Sequence, residues 1–173
     1  MIEKYLDKES VIPESCFIHE LATIAGGVKF GERCSVWPNA SLRGDSCNIT
    51  FGDNCNVQDS VVVHGYDEVV FGDYVSLGHG CIIHGANIDD NVIIGMGAIV
   101  LDGAKIGKNC IVGAGSLVTS NKVFGDGLLI VGSPAKAVRK LTEDEIRGII
   151  ENAEEYMVFL ENYKIESMKK ACK

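Results

Sequence analysis

From Ile12 to Val118 an aliphatic residue or Phe returns almost every six residues. The series is Ile12, Ile18, Ile24, Phe30, Val36, Leu42, Phe51, Val57, Val63, Phe71, Leu77, Ile83, Ile88, Ile94, Val100, Ile106, Val112 and Val118. Gly often follows directly, as at Gly31, Gly52, Gly72, Gly95 and Gly107. A period of six predicts a parallel β-helix in which each unit is one short strand and a corner. Three units close one turn of a triangular prism, so the series predicts an all-β solenoid of about six coils, spaced ~4.8 Å apart. The repeat positions point inward and form the core. Cys16, Cys34, Cys55, Cys81 and Cys110 each fall four residues after a repeat aliphatic. Their shared phase reads as small buried hydrophobes at corners rather than as metal ligands or disulfides.

The pattern changes after the repeats. Leu128 to Lys140 closes the prism through the turn-like run Gly132-Ser133-Pro134-Ala135-Lys136. Thr142-Glu143-Asp144-Glu145 then matches a capping box, with Thr142 as N-cap and Glu145 three residues on. Ile146, Ile149, Ile150, Ala153, Met157 and Leu160 follow at helical spacing. The expected organisation is a β-helix domain over 1–140 and an amphipathic C-terminal α-helix over 141–173. That helix should pack along the prism or on a neighbouring subunit. Its polar face is rich in Glu, which disfavours a membrane-bound helix.

Composition narrows the function classes. A net charge of −8 argues against nucleic acid, which requires basic patches. No stretch is apolar for long enough to cross a bilayer. The seven cysteines include no CxxC pair, and their number is odd, so a reducing, cytoplasmic compartment is expected. The single Trp37, beside Pro38, reads as packing rather than as a ligand platform.

Three intervals depart from six: nine after Leu42, eight after Val63 and five after Ile83. Three units make a coil, so all three breaks fall on one face. Arg43, His64 and His84 each directly follow the repeat aliphatic there and should stack as a column. On the preceding face Asp59 and His79 share the third position and should stack as a second column. Histidine is a common metal ligand, and two imidazoles one strand spacing apart suit one ion. His79 lies on another face, across a corner. It could complete a three-histidine site only if the two columns met between subunits, as a cyclic trimer allows. His19, the fourth histidine, lacks a matching column and receives no role.

The segments Arg43-Gly44-Asp45, Asn56-Val57-Gln58-Asp59, His64 and Gly78-His79-Gly80-Cys81-Ile82-Ile83-His84-Gly85 resemble γ-class carbonic anhydrase-like proteins, and the resemblance covers nearly the whole chain. It implies a left-handed β-helix, although ordinary parallel crossovers are right-handed in ~98% of cases. It further implies a homotrimer with zinc, or iron or cobalt, at each interface. His64 and His84 would come from one subunit and His79 from the next. Metal hydroxide would attack carbon dioxide to give bicarbonate. Gln58 would orient the hydroxide or the small substrate, Arg43 and Asp59 would pair across the interface, Asp45 would fix Arg43, and Asn56 would sit in the same pocket. Asp67 and Glu68, in the loop after His64, are the acidic residues available to export a proton. The same prism hosts acyltransferases and CoA-thioester hydrolases, and a non-catalytic metal-binding trimer is a third reading, because fold alone does not fix function.

Overall fold

The computed structural model describes residues 1–171 of the chain; Cys172 and Lys173, the last two residues of the expected helical segment, lie outside the described residues. Residues 2–132 wind into a left-handed parallel β-solenoid of about seven turns, followed by one C-terminal helix. The first face carries Phe17–Ile18, Ser35–Val36, Asn56–Val57, Ser76–Leu77, Val92–Ile94, Cys110–Val112 and Leu128–Gly132. The second carries Ile2–Glu3, the start of Thr23–Lys29, the start of Ser41–Phe51, then Val62–His64, Ile82–His84, Ile99–Val100 and Leu117–Val118. The third takes the ends of the two long strands and continues through Val69–Phe71, Asn87–Ile88, Lys105–Ile106 and Val123–Phe124. The prism is one turn longer than the eighteen-position series predicts, because Ile2 pairs with Ile24 at the start and Phe124 and Ile130 keep the six-residue phase beyond Val118.

The repeat positions are the core. Ile24, Leu42, Leu77, Ile83, Ile94 and Ile130 are completely buried. Each such side chain contributes about 1.5–3 kcal/mol by leaving water. On the third face Phe30, Phe51 and Phe71 stack nearly parallel, with centroids 4.9 and 4.4 Å apart. All six described cysteines are unpaired and buried. Cys16, Cys34 and Cys55 each donate from Sγ to a glycine carbonyl one turn on (Gly31, Gly52 and Gly72), each at 3.1 Å. Cys81 shares their place in the unit but turns a different corner, since its unit lies on the first face.

The closing segment reverses direction. Leu128–Gly132 runs parallel to Cys110–Val112, whereas Ala135–Lys140 returns antiparallel beside it, so 128–140 is a hairpin rather than another turn. Helix α1 (Glu143–Ala171) then lies on the first face. Its start is a reciprocal capping box: the Glu145 N–H donates to Thr142 Oγ1 at 3.2 Å and the Thr142 N–H donates to Glu145 Oε2 at 2.9 Å. Ile149, Ala153 and Leu160 are its buried stripe, and Tyr156 lies half-buried on the same side. The helix therefore covers its own prism. Among the described residues no helix is long and apolar enough to cross a membrane.

Candidate functional site

The second face builds one half of the site. The strands Val62–His64 and Ile82–His84 pair in register, with His84 directly beside His64. Arg43 continues the column, since Leu42 is registered on Val63. Gly44 is required beside it: a Cβ there would come within 2.8 Å of the Gly27 carbonyl oxygen. The Arg43 guanidinium turns to Asp45, 2.5 Å away, which fixes it within the chain. Asp45 also meets His64 Nε2 at 3.1 Å. Burial pushes the Asp45 carboxyl up, but the hydrogen bonds from Arg43, the Ser46 N–H and His64 outweigh it and hold the group well below the usual carboxylate range. His84 in turn meets Asp102 Oδ1 through Nδ1 at 2.7 Å.

These partners set the tautomers. A carboxylate only accepts, so the nitrogen facing it carries the proton. His64 is then protonated on Nε2 and His84 on Nδ1. Their other nitrogens, His64 Nδ1 and His84 Nε2, face each other 3.3 Å apart. With those tautomers both atoms would present lone pairs to a shared ion. Two ligands of a tetrahedral ion bound at ~2.0–2.1 Å stand roughly 3.3–3.4 Å apart, so the pair fits zinc or a similar divalent ion. Carboxylates behind ligating imidazoles are the usual support of such a site.

The second column lies at the corner after the first face. His79 Nδ1 pairs with Asp59 Oδ2 at 3.0 Å, one turn apart, as the register predicts. His79 is therefore held from behind in the same way, with Nε2 free. Gly80 turns the corner that follows, at φ +67°. Gln58 accepts from the His79 backbone N–H at 3.2 Å and donates to Asn56 Oδ1 at 3.0 Å, and Asn56 donates to Ser76 Oγ at 2.7 Å. A cavity of about 180 Å³ adjoins His79 and Gln58 and is lined also by Met96 and by Asn152 and Tyr156 of α1. Among the described residues of one chain, no three His, Cys, Asp or Glu side chains gather as a metal-binding group. One chain thus brings His64 and His84 together and holds His79 apart. His19 caps its own turn, accepting from the Leu21 N–H at 3.2 Å.

Two residues here escape the sequence reading. Asp102 supports His84 from the next turn, where it occupies an otherwise ordinary corner. Tyr66, in the loop after His64, is exposed, yet its ring meets those of His64 and His84 edge-on at centroid distances of 5.7 and 5.5 Å. An aromatic in an inserted loop beside two histidines was the only available signal.

The chain matches the family described as bacterial transferase hexapeptide (six repeats) over residues 85–120. It is 50% identical over 160 residues to a probable carbonic anhydrase of Methanocaldococcus jannaschii, covering 89% of this chain and all of that one. It is 36% identical to the mitochondrial gamma carbonic anhydrase 2 of Arabidopsis thaliana, over 94% of this chain and 62% of that protein. Among solved structures, a hexapeptide transferase family protein from Anaplasma phagocytophilum superposes with a TM-score of 0.91 at 37% identity, covering 94% of this chain and 97% of that one.

Proposed function

From the premise that this chain belongs to the γ-class carbonic anhydrase-like family of hexapeptide-repeat proteins, we propose that it hydrates carbon dioxide to bicarbonate in a homotrimer with a metal site at each interface. The observation that carries the reading is the facing pair of ring nitrogens, His64 Nδ1 and His84 Nε2, 3.3 Å apart. His79 of a neighbouring chain would supply the third nitrogen. Three imidazoles leave a position open, which marks a catalytic rather than a structural site. Zinc is the metal proposed, with iron or cobalt as the alternatives. When bound, such an ion supplies hydroxide at neutral pH by lowering the pKa of water to ~7.

The residues of the chain do the rest. Asp45, Asp102 and Asp59 hold His64, His84 and His79 in the tautomers that point a bare nitrogen forward. Gln58, anchored by Asn56 and by the His79 backbone, keeps part of its amide free to orient the small substrate in the adjoining cavity. Arg43 and Asp59 are both half-exposed, and so are available to pair between chains. The proton released with bicarbonate needs an acceptor, and Asp67 and Glu68 lie in the loop beside Tyr66.

An outward stripe supports the trimer. Ser41, Val62, Ile82, Ile99 and Leu117 stand side by side on the second face. Val62 and Ile82 are 40 and 39% exposed. An apolar stripe continuous with a two-histidine column suits a second copy of the chain, since the site is incomplete without it. The unpaired cysteines favour a reducing, cytoplasmic compartment.

The test is metal content, trimer mass and carbon dioxide hydration of the purified protein beside a His79→Ala variant. The reading expects about one metal per chain in the parent and, in the variant, a trimer that has lost both metal and hydration. A monomer that holds the metal, or bound metal with acyl-CoA cleavage and no hydration, would overturn it.

A further inference from the structure

A second cavity shares Tyr156 with the one beside His79. It measures about 300 Å³, at the small end of the range that ligand pockets occupy. Among the described residues six line it: Trp37 and Pro38 from the first face, Asp59 from the corner, and Tyr156, Phe159 and Tyr163 from α1. Four of the six are aromatic, and Asp59 alone is charged.

The rings meet at steep angles. Trp37 and Tyr163 lie 5.1 Å apart at 89°. Trp37 and Tyr156 lie 5.6 Å apart at 73°, and Tyr156 and Phe159 lie 5.6 Å apart at 86°. Each such contact sets the edge of one ring on the face of the next, and the remaining faces form the walls of a corner. Docking the helix explains Trp37, which is 6% exposed, and one side of Tyr163, which meets Phe17 and Trp37, yet Phe159 and Tyr163 keep 40 and 47% of their surface open. An aromatic face carries partial negative charge and attracts a cation within ~6 Å of its centroid. The Asp59 carboxylate at the rim, which also pairs with His79, adds negative charge. Among the described residues of one chain no Lys or Arg lines the cavity.

We propose that Trp37, Tyr156, Phe159 and Tyr163, with Asp59 at the rim, form a cage for a small organic ammonium compound of the quaternary or methylated type. Such a cation is too weakly hydrated to prefer water strongly, and its methyl groups fill an apolar corner that a metal ion would not enter. The cage adjoins the second column, with which it shares Asp59.

Trp37 is the only tryptophan of the chain, so its fluorescence reports the cage directly. The full chain, freed of metal by chelation, is titrated with choline and with 3,3-dimethylbutan-1-ol, its neutral isostere. The proposal expects a saturable response to choline and an affinity about tenfold weaker for the isostere. Phe159→Leu and Asp59→Asn should each weaken choline about fivefold or more and leave the isostere nearly unchanged. Equal affinity for the two ligands, or no saturable response to choline in the parent chain, would overturn it. The titration needs neither metal nor turnover, so its failure leaves the metal reading standing.

Discussion

Asp102 lies one turn beyond His84 and meets its Nδ1 at 2.7 Å, which leaves Nε2 of the same ring bare and facing His64. Asp102 is therefore a positioning residue for a nitrogen it never touches. Replacing it with Asn removes the obligatory acceptor and lets the ring take the other tautomer. Asp102→Asn should bind zinc about 10–100-fold more weakly, as loss of such supporting partners generally does. Competition with a chelating indicator measures this, and an unchanged far-UV spectrum separates it from misfolding. Full zinc affinity in the variant would remove Asp102 from the site.

The phenylalanine stack offers a purely structural test. Phe51 lies between Phe30 and Phe71 and is 2% exposed. Phe51→Ala empties the middle of that ladder and should cost about 3–5 kcal/mol in denaturant unfolding. A loss below about 1 kcal/mol would mean that the neighbouring turns collapse into the space.

Acid should act on the helix junction. Glu145 takes a bidentate pair from Arg139, both bonds at 2.7 Å, and a hydrogen bond from the Thr142 N–H. The Arg139 guanidinium first, and the Thr142 N–H second, lower the Glu145 carboxyl from 4.5 to about 2. A carboxyl depressed on folding stabilises the fold above its unfolded value and loses that contribution as pH falls towards the folded one. Thermal melts of the parent and of Glu145→Gln should therefore differ near neutrality and converge between about pH 4.5 and 2. A gap that persists unchanged through that window would show that the charge is not the source of the difference.

Thiol chemistry probes the core. Burial pushes the Cys81 thiol up to about 12. The reactive species is the thiolate, so Cys81 should resist iodoacetamide at about pH 8 in the native protein and react once denaturant is added. Peptide-level mass spectrometry follows it, and rapid native labelling would contradict a closed corner at that turn.

Much of this molecule is legible in its sequence because a solenoid turns periodicity into position. Knowing that three units close a turn places His64 beside His84 and Asp59 beside His79 with no information about side-chain packing. The capping box at Thr142 and Glu145 is legible for a different reason, since it depends on four consecutive residues. Reading ends where rotamers decide. The register puts Arg43 in the histidine column, but only its conformation turns it to Asp45. Tyr66 could point anywhere from its loop. The apolar run Leu128 to Val131 signals another strand, yet it carries no sign that the next strand will come back antiparallel. The seventh turn was visible in the spacing of Phe124 and Ile130, although the closing run Leu128 to Lys140 overlaps it.

The reversal at Ala135–Lys140 bears on how the molecule avoids becoming a fibre. A parallel solenoid is a template that any further turn of the same kind can extend. The last strand of the first face is instead covered by one running the wrong way, bearing Lys136, Arg139 and Lys140. An antiparallel, basic strand offers a poor start for parallel growth. The hairpin thus acts as a chain terminator, fixing the prism at a finite length where its repeat alone would permit unlimited polymerisation.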